Sequence, residues 1–465
     1  MLINWGMSTC EDCKVVVTAN TDNQLRTKTW PEIIKWSNLA ITKDWFTCTA
    51  TALDRNDPGH DKRWRADAIT WPEHDPEDFA GLHNARNRIN LFRISSDVIP
   101  FGSSPVNTLD WTADFAPQRA ARGRTARTHG MRLSMHPGQY TVLNSPNADV
   151  VERAVADLVY HAAFLDALEL DATAKIVLHV GGVYGDKEAA LDRFARAYET
   201  LPATVRRRLV IENDDRLFTA RDVLALSRRT GAPVVFDTLH HECNHEPDSP
   251  GWLELLDEAR ATWRAQDGPQ KMHYAQQAPG RRPGSHADTI GIDAFLAFYQ
   301  ELVAFRSASS ESGGNPSLPD IMLEVKDKNL SALKCILCTH HEGIAALERE
   351  WARYKYAILE HDQAAYQALR QLLKDKHGYP AVPFYETVER ALALPEDPGS
   401  FRNAAQHVWG YVSPHVTMRE RTSFDTLMTR FGRGEATGEA VKRRLLLLAE
   451  RYEQSYLLES YYFTL

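Results

Sequence analysis

The chain is poor in several things whose absence narrows its function. It has no run of about 18–20 apolar residues, so no membrane-spanning helix is expected. The start, Met1 to Gly6, lacks a basic stretch followed by an apolar one, so no secretory signal is visible. Cysteine is scarce, 6 in 465 residues, which excludes a disulfide scaffold and fits a reducing, cytoplasmic setting. Basic charge is not in excess: 54 Lys and Arg face 62 Asp and Glu, a formal net charge of -8, which argues against a nonspecific coat on nucleic acid. That charge is compatible with a local cationic groove, because bound divalent metals reverse the field inside a cleft lined by carboxylates. No Walker motif is present, so no nucleotide cofactor is expected, and no Gly-rich phosphate fingerprint follows any strand, which weakens an open dinucleotide-type sheet.

What is present is a repeating alternation. Short runs rich in apolar residues, at Ile89–Ile94, Met131–Met135, Lys175–Val180, Arg208–Glu212, Pro233–Asp237, Lys271–Tyr274 and Asp320–Val325, are separated by helical stretches such as Val150–Leu168 and Lys187–Leu201. Leu2–Trp5 is an eighth candidate. Apolar runs alternating with helices indicate parallel strands buried on both faces. Eight such units make a (β/α)8 TIM-type barrel the expected fold. Residues 40–85 have little periodicity, and 307–319 (SASSESGGNPSLP) read as a surface loop. From Glu348 onward the pattern is helical, as over Tyr354–Lys374, Phe384–Leu392 and Ala440–Leu458, so the barrel is placed at 1–340 and an all-α domain at 341–465.

The chemistry sits where strands end. His136 closes one strand and His179 another; Glu212 and Asp237 close two more, with His240 three residues beyond Asp237. His273 and Glu324 lie on the last two strands, and His286 follows in a loop. The C-terminal ends of barrel strands converge on one mouth, so five histidines and three carboxylates would face one another. Buried unpaired carboxylates cost several kcal/mol each, and such a ring is tolerated when cations are bound. Mixed imidazole and carboxylate donors suit Mn, Zn or Fe rather than Ca, and eight donors imply two or three clustered ions with Glu212 or Asp237 bridging. Such clusters serve phosphate-ester hydrolysis. A lone His at a strand end is usually an ordinary polar residue, and Asp237 before Thr238 has the alternative role of capping the next helix. The coincidence across six strands carries the reading.

The motifs His136-Pro137-Gly138-Gln139-Tyr140, His179-Val180-Gly181-Gly182, Glu212-Asn213-Asp214-Asp215-Arg216, Asp237-Thr238-Leu239-His240-His241 and Arg282-Pro283-Gly284-Ser285-His286, in this order, resemble the UV damage endonuclease family of the UvdE/UvsE type. Phe92-Arg93-Ile94-Ser95-Ser96-Asp97 and Glu324-Val325-Lys326 match it as well, so the resemblance covers about residues 89–335. It implies a barrel related to endonuclease IV and xylose isomerase. It implies a cluster of divalent metals, usually manganese, with zinc or magnesium as alternatives. It implies incision of duplex DNA 5′ to pyrimidine dimers, 6-4 photoproducts and some abasic sites. Carried over by position, the metal ligands are His136, His179, Glu212, Asp237, His240, His273, His286 and Glu324. Glu212, Asp237, His240 and Lys271 are the expected catalytic set. For Lys271 a solvated strand start is the competing reading.

By the same resemblance, Gln139 and Tyr140 enter the duplex at the lesion, where an amide and a ring replace lost pairing and stacking. Arg281, Arg282, Lys326 and Lys328 are candidate phosphate contacts, with surface filler as the alternative. The family's first strand carries a Gly-Tyr pair and a nearby Asn, whereas this chain reads Asn4-Trp5-Gly6-Met7 and has no tyrosine before Tyr140. Trp351–Tyr356, Tyr366–Lys376 and Asn403–Tyr411 resemble the YbgA-type helical domain, which implies a fold and no activity; His407 and Trp409 are expected in its core. The expected partner is UV-damaged double-stranded DNA, met by a monomer in the cytoplasm at the nucleoid. Two other readings compete. One is a metal-dependent sugar isomerase or epimerase on the same barrel, disfavoured by Gln139-Tyr140 and Arg281-Arg282. The other is a non-enzymatic zinc-binding interaction protein held by Cys10, Cys13, Cys335 and Cys338.

Overall fold

The structure, a computed structural model, describes residues 46–48, 53–55, 84–99, 101–105, 107, 110–308 and 318–465. By its internal contacts the chain divides into two units. One takes the described residues up to His286 with Leu318–Glu324, and the other takes Ala287 to 308 with Val325–Leu465.

The first unit is built on seven parallel strands: β1 (Leu91–Ile94), β2 (Arg132–Met135), β3 (Lys175–His179), β4 (Leu209–Glu212), β5 (Val234–Asp237), β6 (Lys271–Tyr274) and β7 (Asp320–Leu323). They pair in sequence order, β1 to β7, each hydrogen-bonded to the next. These are the strands expected from the sequence, trimmed by up to two residues at either end. The eighth candidate, Leu2–Trp5, lies outside the described residues. A separate antiparallel pair joins Phe46–Cys48 to Leu53–Arg55. The strands are short, the central β3, β4 and β5 are the ones rich in β-branched residues, and their Val177, Val210 and Val235 are completely buried in one cluster.

The helices between strands start at side-chain caps that the sequence supplies. Asn147 accepts from the Asp149 N–H and opens Ala148–Ala167; Asp186 accepts from the Ala189 N–H and opens Lys187–Thr200. Thr219 and Asp222 form a reciprocal capping box at the start of Ala220–Thr230, which ends at Gly231 in the left-handed region (φ 75°).

The N-terminal end of the sheet is closed by two buried cations, Lys175 and Arg208, and the half-buried Arg132. Lys175 Nζ donates to Asp267 Oδ1 at 2.6 Å and to the Arg207 carbonyl at 2.9 Å. Arg132 reaches Asp320 Oδ2 at 2.7 Å and the carbonyls of Thr173 and Asp267. Arg208, 1% exposed, spends its guanidinium on Asp166 and the carbonyls of Leu170 and Ala174. Every one of these cations is paired, as burial demands.

The second unit is helical. It holds Ile292–Ala308, Asn329–Thr339, Ile344–His361, Gln363–Leu372, Ala381–Leu392, Pro398–Val412, Met418–Gly432 and Gly438–Arg451. The single helix expected over Tyr354–Lys374 is two, because Asp362 breaks it and caps the second by accepting from the Ala364 N–H at 2.7 Å. Likewise Ala440–Leu458 divides after Arg451, with a short turn at Ser455–Leu458. Trp409 stacks on Phe424 at 4.1 Å against the core, as expected, whereas His407 points to solvent. Glu360 is fully buried in this unit, with Lys442 Nζ 2.6 Å from Oε1 and no hydrogen-bond partner for Oε2. Burial pushes its carboxyl up to about 7 against the pull of Lys442. Among the described residues, no helix is long and apolar enough to cross a membrane.

Candidate metal centre

Register decides which side chains meet. His179 pairs with Glu212 across β3 and β4, and Asp237 with His273 across β5 and β6, so the four lie at the C-terminal end of adjacent strands. His136 follows β2 directly, on a loop held by the Ser96 hydroxyl donating to the His136 carbonyl at 2.7 Å. His240 lies one turn into the helix Thr238–Cys243. Glu324 follows β7, its N–H bonded to the Tyr274 carbonyl at 2.9 Å. His286 returns to the centre through a bridge pairing with Gln277.

Glu212, fully buried, is the hub. Its Oε2 lies 3.0 Å from His136 Nε2 and 3.5 Å from His179 Nε2; its Oε1 lies 2.6 Å from His273 Nδ1 and 4.0 Å from His240 Nδ1. One carboxylate thus turns each oxygen toward a different pair of imidazoles. Asp237 does cap the next helix: its Oδ1 accepts from the His240 N–H at 2.7 Å. Its Oδ2 lies 4.0 Å from His273 Nδ1 and has no hydrogen-bond partner. Glu324 Oε1 is 3.2 Å from His273 Nδ1, its Oε2 is 3.6 Å from His286 Nε2, and it also pairs with Arg93. All eight sequence-derived candidates therefore gather in one centre.

The electrostatics follow from crowding. Burial opposes ionisation of Glu212, but His273, His179 and His136 outweigh it and hold its carboxyl well below the usual range. Burial likewise disfavours the Glu324 carboxylate, and His273 and Arg93 bring it down to about 2. Asp237 is pushed up to about 8 by burial and by its two acidic neighbours, against the pull of His240. Burial lowers His179, His273 and His286. His240 is the exception: burial works against its cation, yet Asp237, Glu212 and Glu324 raise it to about 9. Three carboxylates this close cannot all ionise unless positive charge joins them.

The donors fit that need. Three groups offer ligand atoms within 4.8 Å of one another: His136, His179 and Glu212; Glu212, Asp237 and His240; and Asp237, His273 and Glu324. Besides Asp237 Oδ2, the buried atoms His179 Nδ1 and His273 Nε2 have no hydrogen-bond partner, a rare condition for buried polar atoms. Oxygen and imidazole donors together suit a transition-type divalent ion.

Lys271 lies inside the barrel, not at a solvated strand start. It is fully buried, and its Nζ donates to Ser134 Oγ at 2.8 Å. Burial, helped by Arg93 and Arg132, brings its ammonium down to about 7.

Around the centre, Gln139 and Tyr140 are exposed, Tyr140 by 68%, with its ring lying so close over Gly138 that any side chain there would collide with it. Arg281 and Arg282 are exposed on a loop that Gln277 ties together: its amide nitrogen donates to the Arg282 carbonyl at 2.9 Å and its oxygen accepts from the Gly284 N–H at 2.8 Å. Gly284 is left-handed (φ 78°) and packs on the Asp215 carboxylate, where no Cβ fits. Lys326 belongs to the helical unit and pairs with Asp288 at 2.5 Å. Lys328 is exposed.

Sequence reasoning missed Asn213. Its side-chain amide exchanges two hydrogen bonds with the Asp237 backbone, at 2.9 and 3.0 Å, and its carbonyl accepts from His240 Nδ1 at 3.0 Å. The signal was its place directly after Glu212. Cys10 and Cys13 lie outside the described residues. Cys335 and Cys338 are free thiols, and burial pushes Cys338 up to about 12 and Cys335 well above the usual value, which works against thiolate ligands.

A parallel barrel with this centre at the strand ends defines an α/β-barrel enzyme with a cluster of nitrogen and oxygen donors able to hold divalent cations. A family model described as UV-endonuclease UvdE matches residues 73–353, and one described as a protein of unknown function (DUF1722) matches 355–465. The chain belongs to the UV-endonuclease UvdE family. It is 37% identical over 350 residues to a UV DNA damage endonuclease of Clostridium perfringens (strain 13 / Type A), covering 74% of this chain and 81% of that one. A UV DNA damage endonuclease of Bacillus pumilus (strain SAFR-032) is 34% identical over 214 residues, covering 46% and 67%. Of solved structures, the crystal structure of SacUVDE has 38% sequence identity and a TM-score of 0.49, covering 55% of this chain and 81% of that one. Family membership sets aside the sugar-isomerase and non-enzymatic readings.

Proposed function

We propose that the protein is a metal-dependent DNA-repair endonuclease that incises the phosphodiester 5′ to UV photoproducts, including pyrimidine dimers and 6-4 photoproducts. The observation that carries this reading is Glu212, whose two oxygens face separate imidazole pairs and so suit a bridge between cation positions. His136 and His179 would hold one position, with His240, Asp237, His273, His286 and Glu324 serving the others. Divalent ions there supply the Lewis acidity that stabilises the attacking and leaving oxygens of a phosphodiester displacement.

The chain's own residues do the rest. Asn213 fixes Asp237 and His240 relative to Glu212. Lys271, near neutrality and bonded to Ser134, sits beneath the carboxylates as a group able to hold or release a proton. Tyr140 and Gln139 project beside His136 and suit insertion where a dimer has weakened stacking. Arg281 and Arg282, on a loop braced by Gln277, suit phosphate contacts that set the duplex in register. Manganese is the proposed metal. The test is incision of a duplex carrying one defined dimer. The expected result is a single nick 5′ to the dimer with Mn²⁺ and none with chelator; incision indifferent to the lesion or to chelation refutes the reading.

A further inference from the structure

Glu324 is shared between two kinds of partner. It belongs to the group with Asp237 and His273 whose ligand atoms converge within 4.8 Å. Yet its Oε1 is also taken by the Arg93 guanidinium, which reaches it from β1, 231 residues earlier in the chain. A guanidinium and a divalent ion on one carboxylate oxygen compete for the same lone pairs, and their charges repel. Arg93 is also placed to leave. Its side chain is 38% exposed while Glu324 is 7% exposed, so one end of the ion pair is rooted in the centre and the other is open to solvent. No second carboxylate pairs with Arg93 among the described residues. An arginine freed at the rim of a nuclease site, with its planar fork of donors, suits a phosphate.

Resting on the endonuclease reading, we propose that Arg93 is a stand-in cation: it neutralises Glu324 until a divalent ion takes that carboxylate, and is then released to a phosphate of the DNA. Metal and DNA are thereby coupled through one side chain, and the coupling is reciprocal.

The test is Arg93→Gln, with Arg93→Lys as the charge-preserving control and thermal melting to verify the fold. Mn²⁺ affinity is measured without DNA, by competition against a fluorescent chelator. Loss of the competitor should tighten Mn²⁺ binding by about fivefold or more, while Arg93→Lys stays near wild type. Binding of a labelled, lesion-free duplex is then followed across salt concentrations, with Mn²⁺ and with chelator. In wild type, Mn²⁺ should steepen the salt dependence by roughly one phosphate contact, and in Arg93→Gln it should not. Weaker or unchanged Mn²⁺ binding in Arg93→Gln makes the residue a brace for Glu324 and overturns the proposal, as does a salt dependence that Mn²⁺ steepens equally in both proteins. The chelator competition does not involve nicking, so its failure is distinct from failure of the incision assay.

Discussion

Glu212→Gln separates chemistry from folding. The substitution keeps the shape of the side chain but leaves one neutral oxygen and one amide nitrogen, which is a donor and cannot ligate. The pair of imidazoles facing the nitrogen, either His136 and His179 or His273 and His240, loses its shared anion. Bridged cations contribute several kcal/mol to stabilising charge in the transition state. If about 4 kcal/mol of that is lost, incision falls by about a thousandfold, at about 1.36 kcal/mol per tenfold in rate. The fold should not suffer to match. The imidazoles hold Glu212 ionised in the fold, so neutralising it forfeits part of that favourable interaction, but the amide fills the same space and leaves no cavity. The assay is therefore paired: nicking of a dimer-containing duplex with Mn²⁺, and melting in chelator. Expected are a collapse of nicking, a cooperative melt in chelator at a somewhat lower temperature than wild type, and a smaller rise on adding Mn²⁺. Nicking at the wild-type rate refutes the bridging role, and a melting temperature in chelator at or above wild type refutes the energetic argument.

Tyr140→Ala should leave stability within about 0.5 kcal/mol, because the ring is mostly exposed, and should weaken preference for damaged over intact duplex by about 1–3 kcal/mol, read by competition binding. Glu360 gives a pH dependence in the helical unit. The unfolded chain ionises this acid near pH 4.3, whereas the fold holds its proton until about 7. Stability contributed by the protonated form is therefore lost as pH rises through that window, on the order of 3–4 kcal/mol at about 1.36 kcal/mol per pH unit, and is level above it. Glu360→Gln should flatten the wild-type fall in urea stability between pH 5 and pH 8; an unchanged slope assigns that fall to another group.

Much of this was legible because parallel strands make sequence and space agree. Each strand ends on the same side, so finding the ends of β2 to β7 sufficed to place His136, His179, Glu212, Asp237, His273 and Glu324 together. Pairing across long separations was not legible. Nothing near Arg93 in the chain announces Glu324, and nothing near Lys326 distinguishes a phosphate contact from an ion pair with Asp288. Lys271 was ambiguous because an inward or outward direction at a strand's first residue depends on register, which only the neighbouring strands fix. The helix break at Asp362 was hidden for a different reason. Apolar spacing continues through it, and the break comes from a side chain preferring to cap rather than continue.

The paired cations at the foot of the sheet have an engineering corollary. Lys175, Arg132 and Arg208 lock β2, β3, β4 and β7 together with none of the eight donor residues involved. The barrel in effect carries two assemblies on the same strands, a fastener below and a workbench above, that meet where the charge of Arg132 reaches Lys271. A designer who wished to give this scaffold a different chemistry could strip and rebuild the upper end while the lower one keeps the staves in place.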